Sequence, residues 1–135
     1  MTGYEPYCGP APTPETLSAN WNLDPVLIVT LAVIGVVGLW RLREAGSADA
    51  AMRRGAFVLA GAVTFFAFVT PLCALTVALF SARTLHHLVL LGLVAPALAI
   101  AFPFRLRAPS TTFLAVSVVL WIWHVPEVYS AAWNH

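Results

Sequence analysis

Long apolar runs dominate this chain, and one of them, Gly55–Phe80, contains no charged side chain at all. In hydrocarbon a backbone must satisfy its own hydrogen bonds, which leaves only helices or closed barrels. Strands of a membrane barrel alternate apolar and polar positions over about ten residues. These runs are unbroken, so a barrel is excluded and the reading is all-α, a polytopic membrane protein. Composition agrees. The chain is 60% hydrophobic and 10% charged, where a soluble domain carries about 25% charged residues, and its mean hydropathy is +0.84. A net charge of +1 gives no support to a nucleic-acid partner.

Local punctuation divides the chain into an extended Pro-rich tail, residues 1–24, and a transmembrane helical domain, residues 25–135, of about four spans. Prolines 6, 10, 12 and 14 keep the tail out of a helix. Thr13-Pro14-Glu15 is a candidate start for a short surface helix through Ser18. Asp24 stands as N-cap to a helix with Pro25 at its first position. Span one is expected at about 25–40, bracketed by Trp21 and Trp40, with Gly35 and Gly38 permitting a close neighbour. Span two, about 55–80, is long for one crossing, and Pro71 is expected to kink or end it by removing a bond to Ala67. Span three is placed at about 84–102, closed by Pro103, and span four at about 110–124, with Pro126 marking its end or a bend. The first twenty residues lack a basic n-region and the first apolar run starts at Val26, so no cleavable signal peptide is expected.

Arginine distribution sets the expected orientation, because basic loops stay on the cytoplasmic side. All seven basic residues are arginine. Four lie in the 41–54 segment, two in the 104–109 segment, and only Arg83 falls in the remaining connections. The N-terminus, the turn near residues 80–84 and the short C-terminal tail are then outside. That puts all four histidines and both cysteines on the outer side.

The stretch Ser81–Pro96, SARTLHHLVLLGLVAP, sets Arg83, His86 and His87 at the mouth of an apolar helix. Ionisable groups there call for a reason. His86 and His87 point about 100° apart on a helix and do not readily share one ion. They read either as an interfacial pair bonded to water, headgroups or backbone, or as a metal or proton site. His124, within Trp121-Ile122-Trp123-His124-Val125-Pro126, is either a ligand or the polar tip of an aromatic belt. His135 is the last residue of the chain. Cys73 is either a small buried hydrophobe or a thiolate ligand. Cys8 is open to soft metal, an intermolecular disulfide or lipidation. The two cysteines are too few and too far apart for a disulfide framework. Arg83 is an interfacial anchor or a counter-charge to Glu127. The candidate metal residues are thus His87, His124, Cys73, His86 and His135, a mixed set that suits copper or zinc better than hard ions. There is no Ser-His-Asp set, phosphate loop or paired intramembrane carboxylates, so no enzyme is indicated.

SARTLHHLVLLGLVAP, the Pro71-Leu72 pair and WHVPEVYSAAWNH resemble the multi-pass cytochrome c oxidase assembly factor CtaG family. YCGPAPTPETLSANWNLDP resembles the lead of its proteobacterial members. The resemblance covers nearly the whole chain and the N-terminal half or somewhat more of a usual member. The family pattern in span three is similar to Ser-x-His-x-x-Gln-His; His87 carries over, whereas Arg83 and His86 depart from it. His124, Pro126, Tyr129 and His135 carry over from the second motif. The resemblance implies a bacterial inner-membrane protein, N-terminus periplasmic, that assists haem-copper oxidase assembly through outer-side copper handling. Its partners would be the lipid bilayer and oxidase subunits, in a homo- or hetero-oligomer. The alternative is an accessory structural subunit of an oxidase or another respiratory complex, with the histidines only interfacial or hydrogen-bonded.

Overall fold

The computed structural model describes residues 6–44, 49–103, 109–123 and 125–127. Every long element among them is helical. Three helices are long and apolar enough to cross a membrane, Pro25–Arg43, Ala50–Val69 and Phe80–Ala101, and a shorter apolar one follows.

Helix α1, Pro25–Glu44, starts where the sequence places it. The Asp24 carboxylate accepts the Val26 N–H at 2.8 Å, and Pro25 has no N–H to leave unpaired. The helix passes Trp40 by a turn, so Arg41 and Arg43 lie on its last turn, where the helix dipole favours cations. Helix α2, Ala50–Val69, begins five residues ahead of the expected Gly55. Arg53 N–H bonds the Asp49 carbonyl at 3.0 Å, so Arg53 and Arg54 are helical rather than loop residues.

Pro71 ends α2, as the sequence predicts. Thr70, the residue before it, is held extended at ψ 169 by the clash that proline imposes on its predecessor. The Thr70 hydroxyl donates to the Phe66 carbonyl at 2.6 Å and accepts the Leu72 N–H at 3.3 Å. Two turns of helix α3, Leu72–Ala78, then use up the rest of the long apolar run.

A single extended residue, Leu79 (φ −124, ψ 124), joins α3 to α4, Phe80–Val89. The third span therefore opens at Phe80 instead of Thr84, and Arg83 lies inside it. A π turn, Leu90–Val94, links α4 to α5, Ala95–Ala101, with Ala95 N–H reaching the Leu90 carbonyl five residues back. Pro96 accounts for the wide turn. It offers no N–H to Gly92 and crowds that carbonyl, and an extra residue in the turn moves the carbonyl aside.

The chain divides into two compact units, the second starting at Phe104. That unit contains α6, Pro109–Trp123. Its 15 residues rise about 22 Å, less than the roughly 30 Å of a bilayer core.

In the first unit α2 is central, packed on α1, α3 and α5. Small residues Ala60, Ala97 and Ala101 let the backbones approach closely, the usual device where no water drives helices together. Phe57 fills the space between Leu42 and Ala101 and meets Phe102 edge to face at 5.5 Å. Two polar bonds mark the ends. Arg53 Nε donates to the Ala101 carbonyl at 2.9 Å, which ties the start of α2 to the end of α5. The Asn22 N–H donates to the Val69 carbonyl at 3.0 Å, which ties the tail to the end of α2.

Gly38 is the glycine this packing requires. A Cβ there would run into the Phe57 ring, while one at Gly35 would meet open space. Gly38→Ala is expected to destabilise the helix bundle by about 1–3 kcal/mol, the usual cost of overpacking. Gly35→Ala should be neutral within about 0.5 kcal/mol. Thermal unfolding of both variants in detergent measures the difference, and equal stabilities would show that the Phe57 contact does not constrain α1.

Candidate functional site

The chemistry-bearing side chains of the first unit collect where the tail crosses the Pro71 break. The tail is shaped by a turn in which Gly9 N–H bonds the Pro6 carbonyl at 2.8 Å. Gly9 has φ +81, a conformation that a side chain would strain. This turn presents Cys8 to Cys73, and the two form a disulfide with Cα atoms 5.3 Å apart. The bond differs from both readings of Cys73, a small buried hydrophobe or a thiolate ligand, and joins two cysteines expected to be too few and too far apart for a disulfide framework. Their sequence separation is 65, but α1 and α2 form a hairpin that returns the chain to the tail.

Two further ties hold the tail. Tyr7 donates its hydroxyl to Asp24 Oδ2 at 2.7 Å, while Oδ1 of the same carboxylate caps α1. The hydrogen bond to Asp24 raises the Tyr7 pKa above its ordinary value, with desolvation and the carboxylate charge adding to it. The same bond, with the Val26 N–H, lowers the Asp24 pKa. The third tie is the Asn22–Val69 bond. The Val69 carbonyl is open because Cys73 N–H goes to Thr70 instead, at 3.0 Å.

Along α4 the polar groups interlock locally. Arg83 Nε donates to the Thr76 carbonyl at 3.3 Å, and the Thr76 hydroxyl to the Cys73 carbonyl at 2.7 Å. His87 Nδ1 lies 2.8 Å from the Arg83 carbonyl. A carbonyl only accepts, so Nδ1 carries the proton in the neutral ring and Nε2 keeps its lone pair. His87 is exposed. His86 is buried, packs edge to face on Phe68 at 4.9 Å, and its Nδ1 has no hydrogen-bond partner. The two imidazoles are 6.3 Å apart and inclined at 55°.

His124 and His135 lie outside the described residues, as does Tyr129. No group of three or more His, Cys, Asp or Glu able to hold a metal occurs among the described residues. The described members of the candidate set are not gathered into one group. Cys73 is bonded to Cys8, His86 is packed on Phe68, and His87 stands apart. Sequence reasoning missed the Cys8–Cys73 bond and the Tyr7–Asp24 pair. The available signal was that both cysteines fall on one side by the arginine count.

The pKa directions give the tail ties a pH window. The lowered Asp24 pKa means that its contribution is present above the ordinary carboxylate range and is lost as pH falls through the folded value. The raised Tyr7 pKa means that its contribution is present below the ordinary tyrosine range and is lost as pH rises through the folded value. Trp21, whose Nε1 bonds the Ser18 carbonyl, reports on the tail. In the Cys8→Ser chain its fluorescence should hold steady between those limits and shift at both. Tyr7→Phe should abolish the alkaline shift, and an unchanged alkaline transition in that variant would remove the pair from the account.

Residues 33–135 match the family model described as cytochrome c oxidase caa3 assembly factor. None of the curated proteins and none of the solved structures compared matches the chain. The matched segment begins within α1 and takes in the Pro71 break, the Arg83–His87 segment and the π turn, so it covers the two motifs and the Pro71-Leu72 pair but not the N-terminal stretch 7–25. The chain belongs to the cytochrome c oxidase caa3 assembly factor family.

Proposed function

We propose that this protein assists assembly of a haem-copper cytochrome c oxidase from the outer face of a bacterial inner membrane, where it takes part in copper handling. The observation that carries this reading is the polarity of the bundle. Arg41, Arg43 and Arg53 gather at one end, and Cys8, Cys73, His86 and His87 at the other. Basic ends stay cytoplasmic, and disulfides persist in oxidising compartments such as the periplasm. The two signals are independent and support the same orientation, with the N-terminal tail periplasmic. Its partners in this reading are lipid and the oxidase subunits, and an assembly factor family fits a non-catalytic role. His87 supplies an exposed ring whose Nδ1 is held by the Arg83 carbonyl, as the ring nitrogen opposite the metal commonly is in a histidine ligand. One observation favours the alternative, a stable accessory subunit: His86 is packed as a core residue against Phe68.

Cells lacking the protein should accumulate oxidase deficient in copper, and the unmodified chain should restore it. His87→Ala and His124→Ala should each lower the copper delivered by about tenfold, the scale on which losing a metal-orienting group acts, with His86→Ala acting less. Full oxidase copper in the deletion strain would sink the assembly role. Stoichiometric co-purification with mature oxidase would favour the subunit reading. For orientation, an impermeant thiol reagent applied outside should label Gly3→Cys and miss Ala48→Cys, and the reverse pattern would overturn it.

A further inference from the structure

We propose that Cys8 and Cys73, once reduced, form a two-sulfur site for a soft monovalent cation, Cu(I) or its analogue Ag(I), of which the disulfide is the closed form. The proposal rests on the reading that this end of the chain handles copper, but it uses a different pair of residues from the histidines.

The first argument is preorganisation. The sulfurs are not held together by their own bond alone. The Pro6–Gly9 turn shapes the tail, and the Tyr7–Asp24 pair and the Asn22–Val69 bond hold it to the start of α1 and the end of α2 independently. Reduction removes none of these, so the thiols stay adjacent. With Cα atoms 5.3 Å apart, the sulfurs need only part to about twice a metal–sulfur bond, roughly 4.6 Å. Cys73 is 1% exposed and fixed. Cys8 is only partly buried, and its side chain can turn to open the gap.

The second argument is the donor set. Zn²⁺ asks for four ligands and hard cations for six or more oxygens. The described residues around the pair supply no third His, Cys, Asp or Glu to make such a group. Two thiolates, with no third such donor among the described residues, suit a soft ion content with two-coordinate geometry. The surroundings agree. Val69 and Ala74 flank Cys73 and are as buried as it is, a setting that penalises bare thiolates and favours their partial neutralisation by a bound cation. Arg83, through Thr76, puts a guanidinium on the short helix that carries Cys73.

The chemistry balances with a dithiol reductant. One of its thiolates attacks Sγ of Cys8, the less buried of the two residues, and Cys73 leaves as thiolate. The second thiol of the reductant then displaces Cys8 and the reductant ends as a disulfide. Two electrons pass to the pair, and two protons end on Cys8 and Cys73. Binding of Cu(I) then releases both protons and forms two Cu–S bonds, leaving one net negative charge.

The full chain in detergent micelles, reduced with a dithiol and freed of it, is titrated with Ag(I) and, without oxygen, with Cu(I) against a chromogenic chelator. The reduced chain should retain about one equivalent of either ion and no Zn²⁺. The disulfide form, Cys8→Ser and Cys73→Ser should each retain at least about tenfold less. Cys8→Ser serves as the variant that leaves the buried sulfur in place, and Trp21 fluorescence verifies that the bundle is intact. Failure of the reduced chain to hold either ion, equal retention in Cys8→Ser, or Zn²⁺ held as tightly as Cu(I) overturns the site. Oxidase assembly is scored in the same variants. Normal assembly by an unmodified chain whose reduced form retains neither ion overturns this site alone, whereas failure of the unmodified chain to support assembly overturns the functional reading.

Discussion

A proline in the path of a membrane helix sets a problem that the rest of this molecule is arranged to solve. Pro71 interrupts α2 where the bilayer offers little water to pair the freed backbone groups. The Thr70 hydroxyl takes one carbonyl and offers itself to one N–H. The Val69 carbonyl is taken by the main chain of the tail, through Asn22. A segment rich in proline, with little capacity for structure of its own, is thereby given a fixed place. The cysteine pair, the Tyr7–Asp24 bond and the approach of Arg83 to Thr76 all follow from the tail and the short helix α3 lying together at the break.

The opposite end is built by different means. Arg53 closes the last turn of α5 from a neighbouring helix, and Phe57 occupies the space left by the missing side chain of Gly38. Between the ends, an apolar groove of about 580 Å³ runs between α1 and α2, lined by Ile28, Leu31, Gly35, Gly61 and Phe65. Small residues at 35 and 61 keep it open. The α1–α2 contact is thus close at Gly38 and Phe57 and looser along this groove, while α2 stays tightly packed on α5 through Ala60 and Ala97.

Legibility in the sequence followed how local each cause was. The Asp24-Pro25 helix start and the interruption at Pro71 depend on single residues acting on their own neighbours, and both are readable. So is the all-helical class, because unbroken apolar runs leave no alternative. The family motifs were readable too, and the match over residues 33–135 agrees with them. The one-residue connection at Leu79 was not, since an extended leucine carries no turn signature. Pro96 was visible, but not that the helix would answer it with a wide turn instead of a kink. At the site, the 100° between His86 and His87 separated their fates, yet only packing against Phe68 decided which ring is buried. The disulfide was least legible. It depends on a tail whose shape comes from tertiary ties, not from any periodicity.

The Cys8–Cys73 bond closes a covalent ring that contains all of α1 and α2. In the proposed orientation, Cys73 meets an oxidising compartment only after α2 has crossed the membrane. A chain whose second helix stalls keeps that thiol on the cytoplasmic side, where it stays reduced. The ring therefore records completed insertion of the first hairpin, and once shut it prevents that hairpin from being withdrawn one helix at a time.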